Sequence, residues 1–141
     1  MSLILNPGLI ELEVLEKIYR EKLAVVINKN YKPKVEKAAK IVQTAAKGIK
    51  PVYGVNTGFG KLASKKIPSE DTEKLQKNLV MSHCSGVGDK LPDPITRLMM
   101  ILKMVSLGLG ASGVRWSVIE QLEKMLDAGV IPIIPHQGSV G

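Results

Sequence analysis

The sequence predicts a mainly α-helical fold with a few short strands, and three observations carry that prediction. Apolar residues recur at three- and four-residue spacing in several separate stretches, as on the buried face of a helix. Residues that start and stop helices flank these stretches. Aromatic residues make up only 4% of the chain, so aliphatic side chains and methionine must fill the core. A chain of 141 residues is long enough for one domain with a core of its own.

The first third of the chain predicts two helices joined by a short apolar run. Residues 11–21 show the helical spacing, and residues 23–27 are a continuous apolar stretch that fits a strand. Pro33 suits the first turn of a second helix, and Gly48 suits the position just past its end. After it, residues 51–53 are expected to be briefly extended.

The middle of the chain predicts a loop followed by a third helix. Residues 56–69 are rich in glycine and read as loop, with Ser69 as the residue that caps the following helix. In that helix His83 follows two leucines at four-residue spacing, which places it on the buried-facing stripe. Gly86 and Gly88 are expected to stop the helix.

The last third predicts a central helix and one further helix. Asp93 and Pro94 form a start signal, with a cap and then a proline at the first helical position. Apolar residues cover most of the circumference of the helix that follows, so we expect it to be buried and to need neighbours on most sides. Gly108 and Gly110 end it or allow a close approach. A last helix is expected from about residue 114 to 127, with these residues facing inward: Val118, Ile119, Leu122 and Met125.

Composition excludes several classes of function. The formal net charge of +7 fits either a nucleic-acid binder or a solvated lysine-rich surface. The second is favoured, because the lysines lie beside acidic residues and no aromatic side chains interleave with them to stack bases. Cys84 is the single cysteine, so no internal disulfide is expected, and no cluster has zinc-ligand spacing. Lacking a signal peptide or a membrane-spanning stretch, the protein is expected to be cytoplasmic.

Three features are candidates for chemistry, and each has a structural alternative. Tyr53 is either a half-buried packing residue or a proton acceptor in an environment that favours the phenolate. The loop Gly54–Gly60 is either a turn or a place where backbone approaches a ligand, and it lacks the phosphate-binding pattern. His83 is either a core histidine or a group that contacts a substrate or shuttles a proton.

Four segments in combination resemble the aromatic amino acid ammonia-lyases, most closely those that act on histidine. The segments are Tyr53–Gly60, Leu75–His83, Ser85–Gly88 and the proline- and glycine-rich stretch from Pro132 to Gly141. The similarity runs from about residue 5 to the end and corresponds to the N-terminal portion of a much longer family chain. It implies that residues 1–141 are part of the N-terminal domain of an ammonia-lyase/fumarase-like helical-bundle enzyme.

The resemblance also implies a cofactor made from the chain itself. In the family a Gly-Ser-Val-Gly loop is followed at once by Ala-Ser-Gly, which cyclises to 4-methylidene-imidazole-5-one (MIO). That loop is matched here by Gly138, Ser139, Val140 and Gly141. The cofactor tripeptide is therefore expected immediately after Gly141. The chain is expected either to be interrupted there or to have been shortened or cleaved. Ala111–Gly113 is also Ala-Ser-Gly, but it follows the central helix, and Ser112 is expected to cap the next helix instead.

The activity implied by the resemblance is elimination of ammonia from L-histidine to give trans-urocanate, a step of histidine catabolism. Matched by position, Tyr53 corresponds to the catalytic tyrosine, Gly60 to a glycine of the substrate pocket, and His83 to the residue that contacts the substrate side chain. The remaining pocket residues belong to later chain and to neighbouring subunits of a homotetramer. No metal, nucleic acid or membrane is implied.

Two alternatives to that activity stay open on the sequence. A histidine at position 83 also suits a phenol, so a tyrosine ammonia-lyase or aminomutase of the same family is one alternative. A catalytically silent helical fragment or interaction module is the other. The 141 residues alone are expected to be inactive, because the electrophile would lie outside them.

Overall fold

The computed structural model describes residues 2–138, and within them the predicted mainly α-helical fold is confirmed. The helices are α1 (Leu12–Glu21), α2 (Lys32–Lys47), α3 (Ser69–His83), α4 (Asp93–Gly108) and α5 (Trp116–Asp127). The strands are β1 (Leu3–Leu5), β2 (Val25–Ile27), β3 (Gly86–Lys90) and β4 (Pro135–Gly138). Short 3₁₀ turns cover Lys29–Tyr31 and Gly60–Leu62.

Helix α4 is the centre of the core, as its apolar circumference predicts. It contacts α1, α2, α5 and β2, and Ile101 and Met104 are fully buried. Strands β1 and β2 pair in parallel beside it, with Leu5 opposite Ile27. A Cβ on Gly108 would lie 2.5 Å from Cγ of Pro7, so the helix packs closely against the segment after β1 at this point.

A buried arginine in α4 ties two helix ends together. Arg97 is 9% exposed, and its guanidinium donates hydrogen bonds to the carbonyls of Leu23 and Leu126. Leu23 follows the end of α1, and Leu126 lies in the last turn of α5. The carbonyl ends of helices carry partial negative charge, so they favour a cation. Nothing in the sequence pattern distinguished this arginine from a surface one.

Strands β3 and β4 form a separate antiparallel pair on the outside of the molecule. Gly86 lies opposite Gly138 and Val87 opposite Gln137, with an irregularity before Lys90 meets Pro135. Every residue of β3 is exposed in this chain. A Cβ on Gly86 would lie 2.8 Å from Cγ of Pro135, so only glycine fits the register there without a shift. The pair joins the end of α3 to the glycine-rich segment at residue 138.

Several predicted boundaries hold within a residue or two. Helix α2 ends just before Gly48, as predicted. Helix α3 begins at Ser69 itself and helix α4 at Asp93, so the residues at the N-cap positions are Pro68 and Pro92. In both cases the predicted cap is the first helical residue.

Other local predictions were wrong. Of residues 51–53, which were expected to be briefly extended, Tyr53 instead opens a turn. Ser112 does not cap α5, which begins at Trp116 after Arg115. Val118 remains 36% exposed, whereas Ile119 is fully buried. Helix α4, expected to need neighbours on most sides, has Ile95, Met99 and Leu102 exposed, so the described residues leave part of its apolar circumference uncovered.

Candidate active site at the Tyr53 turn and the end of α3

The Tyr53 turn is held by the side chain of Asn56. Asn56 is 1% exposed, and its Oδ1 accepts a hydrogen bond from the backbone N–H of Val52 at 2.7 Å. Its Nδ2 donates to the carbonyls of Ala45 and Lys50, each at 3.0 Å. The amide therefore fastens the turn to the end of α2 on one side and to the preceding bend on the other. A buried amide with all these bonds made is a rigid anchor.

Tyr53 itself projects from this turn toward solvent. Its side chain is 65% exposed. Its ring meets that of Phe59 edge to face, with centroids 5.8 Å apart and planes at 74°. The half-buried packing role considered from the sequence does not describe this exposed ring, and the phenol is accessible in this chain.

Gly60 follows the same loop and takes a conformation that glycine adopts readily. Its φ of +56° lies in the left-handed region, and it opens a 3₁₀ turn over Gly60–Leu62. A Cβ there would have open space around it, so the backbone conformation rather than a close contact explains the glycine. The loop is closed by a bridge between Thr57 and Lys66.

His83 is the last residue of α3, and the prediction that it lies on a buried stripe was wrong. The side chain is exposed, and α3 has no buried residue among those whose burial the structure describes. Its Nδ1 lies 2.9 Å from the carbonyl oxygen of Leu79 and 2.9 Å from Oγ of Ser82. The ring is thus held against the last turn of its own helix.

A groove of about 850 Å³ opens just past the end of α3. Its walls come from the end of α3, from both strands of the β3–β4 pair and from α4, and they include Cys84, Gly86, Met99, His136 and Gly138. Because Gly138 pairs with Gly86, the glycine-rich segment enters beside the end of α3. Ser139, Val140 and Gly141, predicted to adjoin the cofactor, lie outside the described residues.

Of the candidate residues that the structure describes, Gly138 lines this groove, whereas Tyr53, Gly60 and His83 do not. His83 ends α3, and Gly138 pairs with Gly86 at the start of β3. Tyr53 and Gly60 lie on a different loop, fastened to α2. Asn56 is the residue that sequence reasoning missed, and its only signal was a turn-forming amide within a glycine loop.

The second Ala-Ser-Gly lies elsewhere and is built into the fold. Gly113 has a φ of +70°, and a Cβ there would lie 2.3 Å from Cγ2 of Val42 on α2. This tripeptide therefore lies in the connection between α4 and α5, where Gly113 packs against α2. Ala111 and Ser112 are exposed, and the close contact of Gly113 with Val42 is the feature that fits a structural connection.

Two features are absent from the described residues. Within residues 2–138 there is no group of three or more His, Cys, Asp or Glu side chains arranged to hold a metal ion. Over the same part of the chain, no helix is both long and apolar enough to cross a membrane.

Comparison with known proteins decides the family. A model of the aromatic amino acid lyases matches residues 10–141, nearly the whole sequence. The chain belongs to this family. It is 54% identical over 140 residues to a histidine ammonia-lyase of Bradyrhizobium diazoefficiens, covering 99% of this chain and 27% of that protein. The chain therefore spans about a quarter of the length of this curated relative.

Solved structures of the family share the fold. Histidine ammonia-lyase from Trypanosoma cruzi matches all of this chain and 27% of its own, with a TM-score of 0.85 and 33% identity. Tyrosine aminomutase from Streptomyces globisporus matches 99% of this chain and 26% of its own, with a TM-score of 0.89 and 28% identity. The expected family resemblance is thus confirmed at the level of both sequence and fold.

Proposed function

We propose that this chain is the N-terminal part of an enzyme that eliminates ammonia from L-histidine to give trans-urocanate. The identity of 54% to a histidine ammonia-lyase supports the substrate. The observation that carries the proposal in the structure is the pairing of Gly86 with Gly138. It brings Gly138, the first residue of the segment proposed to precede the cofactor, close to the helix end that carries His83.

The described residues fit a segment that leads into a MIO group, but the tripeptide proposed to form that group lies after Gly141. The only Ala-Ser-Gly of the sequence, Ala111–Gly113, does not fit, because Gly113 packs against Val42 of α2 in the connection between α4 and α5. The Gly138 segment fits, because it follows an exposed strand beside an open groove. When formed from a tripeptide after Gly141, MIO supplies an electrophile that takes up the substrate amine.

Tyr53 is proposed as the base that removes a proton from the β-carbon of the substrate. The phenol is exposed, which gives a substrate access to the oxygen, and its turn is anchored by a buried amide. A base must be held within hydrogen-bond reach of the proton that it removes, so a rigid turn suits the role. Gly60, on the same loop, is proposed to leave space for the substrate.

His83 is proposed to orient the substrate side chain. It stands at the end of α3 with its Nδ1 engaged by its own helix, so its ring direction is set before any ligand arrives. An imidazole is suited to hydrogen bonding with either an imidazole or a phenol. The tyrosine alternative therefore stays open, and the likeness to a tyrosine aminomutase at a TM-score of 0.89 supports testing it.

The oligomeric assembly of the complete enzyme is also a proposal, and it rests on membership of the same family. We propose that the rest of the polypeptide and neighbouring subunits of a cytoplasmic homotetramer complete the site. The exposed apolar residues of α3 and β3 are consistent with such a cover, and they include Val80, Met81 and Val87.

The deciding experiment is the intact mass of the purified protein. The proposal expects a mass several times the 15.3 kDa of these residues, lower than its coding sequence predicts by two waters. It also expects urocanate to accumulate with histidine, measured by its ultraviolet absorbance, faster than the corresponding product forms with tyrosine.

Two outcomes would contradict the proposal. A sequence other than Ala-Ser-Gly after Gly141 would favour the silent module. A full mass without the loss of water, together with no urocanate, would do the same. The 141 residues alone are expected to be inactive, and urocanate production by them would overturn the assignment of the electrophile.

A further inference from the structure

Residues 37–69 contain lysines but no acidic residue, whereas lysines elsewhere in the chain lie beside acidic residues. The seven lysines of this stretch are all exposed, and they are Lys37, Lys40, Lys47, Lys50, Lys61, Lys65 and Lys66. Among the described residues, none of them takes part in an ion pair. The stretch therefore carries seven positive charges, which equals the formal net charge of +7 of the whole chain.

The nearest acidic residues along the chain have favourable surroundings of their own. Glu36 lies 3.8 Å from Nζ of Lys32, outside the stretch. Glu70 and Asp71 lie in the first turn of α3, where the positive end of the helix favours acidic side chains. The charge of residues 37–69 is thus exposed to solvent and to any ligand that binds there.

Two of these lysines lie on the returning arm of the loop that begins at Tyr53. The carbonyl of Lys65 accepts a hydrogen bond from the backbone N–H of Gly58 at 3.1 Å. The next residue, Lys66, forms an antiparallel bridge with Thr57. These backbone contacts hold both lysines on the same loop as the phenol.

Two more lysines flank the turn itself. The carbonyl of Lys50 accepts a hydrogen bond at 3.0 Å from Asn56, the amide that anchors the Tyr53 turn. Lys61 lies in the 3₁₀ turn that Gly60 opens. Four exposed ammonium groups therefore belong to the loop that carries the exposed Tyr53 phenol.

The ligands of the proposed reaction differ in net charge. At about pH 8 free L-histidine carries an ammonium group, a carboxylate and a neutral imidazole, so its net charge is close to zero. Elimination releases the amine nitrogen as ammonium and leaves trans-urocanate, whose carboxylate gives a charge of −1. A positive surface attracts this anion and repels the ammonium ion, and it has little net effect on the zwitterion.

We propose that the lysines of residues 37–69 form an anion-binding surface that strengthens the binding of trans-urocanate relative to L-histidine. This rests on the proposed function, and it makes retention of the product dependent on salt. A unit charge about 10 Å from an anion in water changes binding about twofold, so four such charges give roughly a tenfold gain before screening. The Debye length falls from about 30 Å at 0.01 M salt to about 3 Å at 1 M, so salt removes most of the gain.

The positive potential over the loop is measurable without any catalysis. Ser64 is exposed within the stretch, so Ser64→Cys combined with Cys84→Ser places a single thiol there in the 141-residue chain. The native Cys84, exposed and outside the stretch, is the matched control. The alkylation rate with iodoacetate, an anion, divided by the rate with neutral iodoacetamide reports the local potential, because differences in thiol reactivity cancel in this ratio.

The two thiols are expected to respond differently to salt. Between about 0.01 M and about 0.5 M NaCl the rate ratio should fall about fivefold at position 64 and less than twofold at Cys84. An equal response at both positions would overturn the proposal.

Neutral variants test whether the loop lysines cause the effect. Replacing Lys61, Lys65 and Lys66 together with Gln should remove most of the salt dependence at position 64, and replacing all three with Arg should preserve it. A control with the same change in net charge replaces three exposed lysines on α1, α4 and α5 with Gln, namely Lys17, Lys103 and Lys124. An equal loss of salt dependence in this control would mean a general effect of net charge, and the surface would be rejected.

The complete enzyme separates this inference from the proposed function. The inhibition constant of trans-urocanate against histidine is expected to rise about fivefold over the same salt range, while KM for histidine changes less than twofold. In an active enzyme, an inhibition constant independent of salt would contradict the proposal. A salt-dependent rate ratio at position 64, in an enzyme without activity on histidine, would uphold the positive surface and reject the proposed function, and with it urocanate as the ligand.

Discussion

Replacing Asn56 with alanine should loosen the Tyr53 turn and lower the stability of the fold. The substitution removes one bond from Val52 at 2.7 Å and two bonds to Ala45 and Lys50 at 3.0 Å. At about 1 kcal/mol net for each bond, the loss is about 3 kcal/mol. Lys50 is exposed, so water can replace its bond and the expected loss becomes about 2–3 kcal/mol. For a chain of this size that corresponds to a fall in Tm of roughly 6–12 °C.

Thermal unfolding followed by circular dichroism measures this loss, and two variants sharpen it. Asn56→Asp keeps the acceptor for Val52 but sets an oxygen against two carbonyls, so it should destabilise at least as much as alanine. Asn6 accepts a bond from Asn28 at an exposed position, so Asn6→Ala should change the unfolding free energy by less than about 0.5 kcal/mol. Equal Tm values for Asn56→Ala and Asn6→Ala would refute the anchoring role.

Three further outcomes are expected. Gly113→Ala should lower the unfolding free energy by about 1–3 kcal/mol, because its Cβ would lie 2.3 Å from Cγ2 of Val42. Adding Val42→Ala should recover part of this loss. An unchanged unfolding free energy in chemical denaturation would contradict the packing. Tyr53→Phe should lower kcat of the complete enzyme about a hundredfold or more while Tm stays constant, since the contact with Phe59 needs only the ring; retained activity would exclude Tyr53 as the base. Ser112→Ala should leave the ultraviolet signature of the cofactor and the activity intact, and their loss would mean that this tripeptide forms the electrophile.

Much of the helical framework was predictable because its signals are local. The Asp93-Pro94 start and the apolar circumference after it identified α4 as the central helix, and its burial confirms this. The same reasoning failed for His83, because the spacing of leucines shows which face is apolar but not whether this chain covers it. On that face of α3, Leu75 and Leu79 are half-buried, whereas His83 at the helix end is exposed.

Features that depend on distant residues were not predictable from local patterns. The β3–β4 pair consists of sequences rich in glycine and polar residues, with little intrinsic preference for strands. Helices α4 and α5 separate the two strands along the chain, so no local turn between them signals the pairing. Asn56 likewise became an anchor only because the chain after α2 bends so that two carbonyls face one amide. The roles of Tyr53, Gly60 and His83 stay predictions that the experiments above address.

A mutation in the β3–β4 pair is expected to have a different effect from a mutation in the core. The pair closes the chain between residues 86 and 138 chiefly through main-chain hydrogen bonds on an exposed surface, whereas α4 lies deep in the core. Exposed pairs of this kind open locally at a lower free energy than the core does. The strand pair can therefore fray, and carry Gly138 away from the end of α3, while the helices stay folded. A variant that melts normally and yet fails to place its glycine segment would show a defect of this pair, and thermal stability alone would not reveal it.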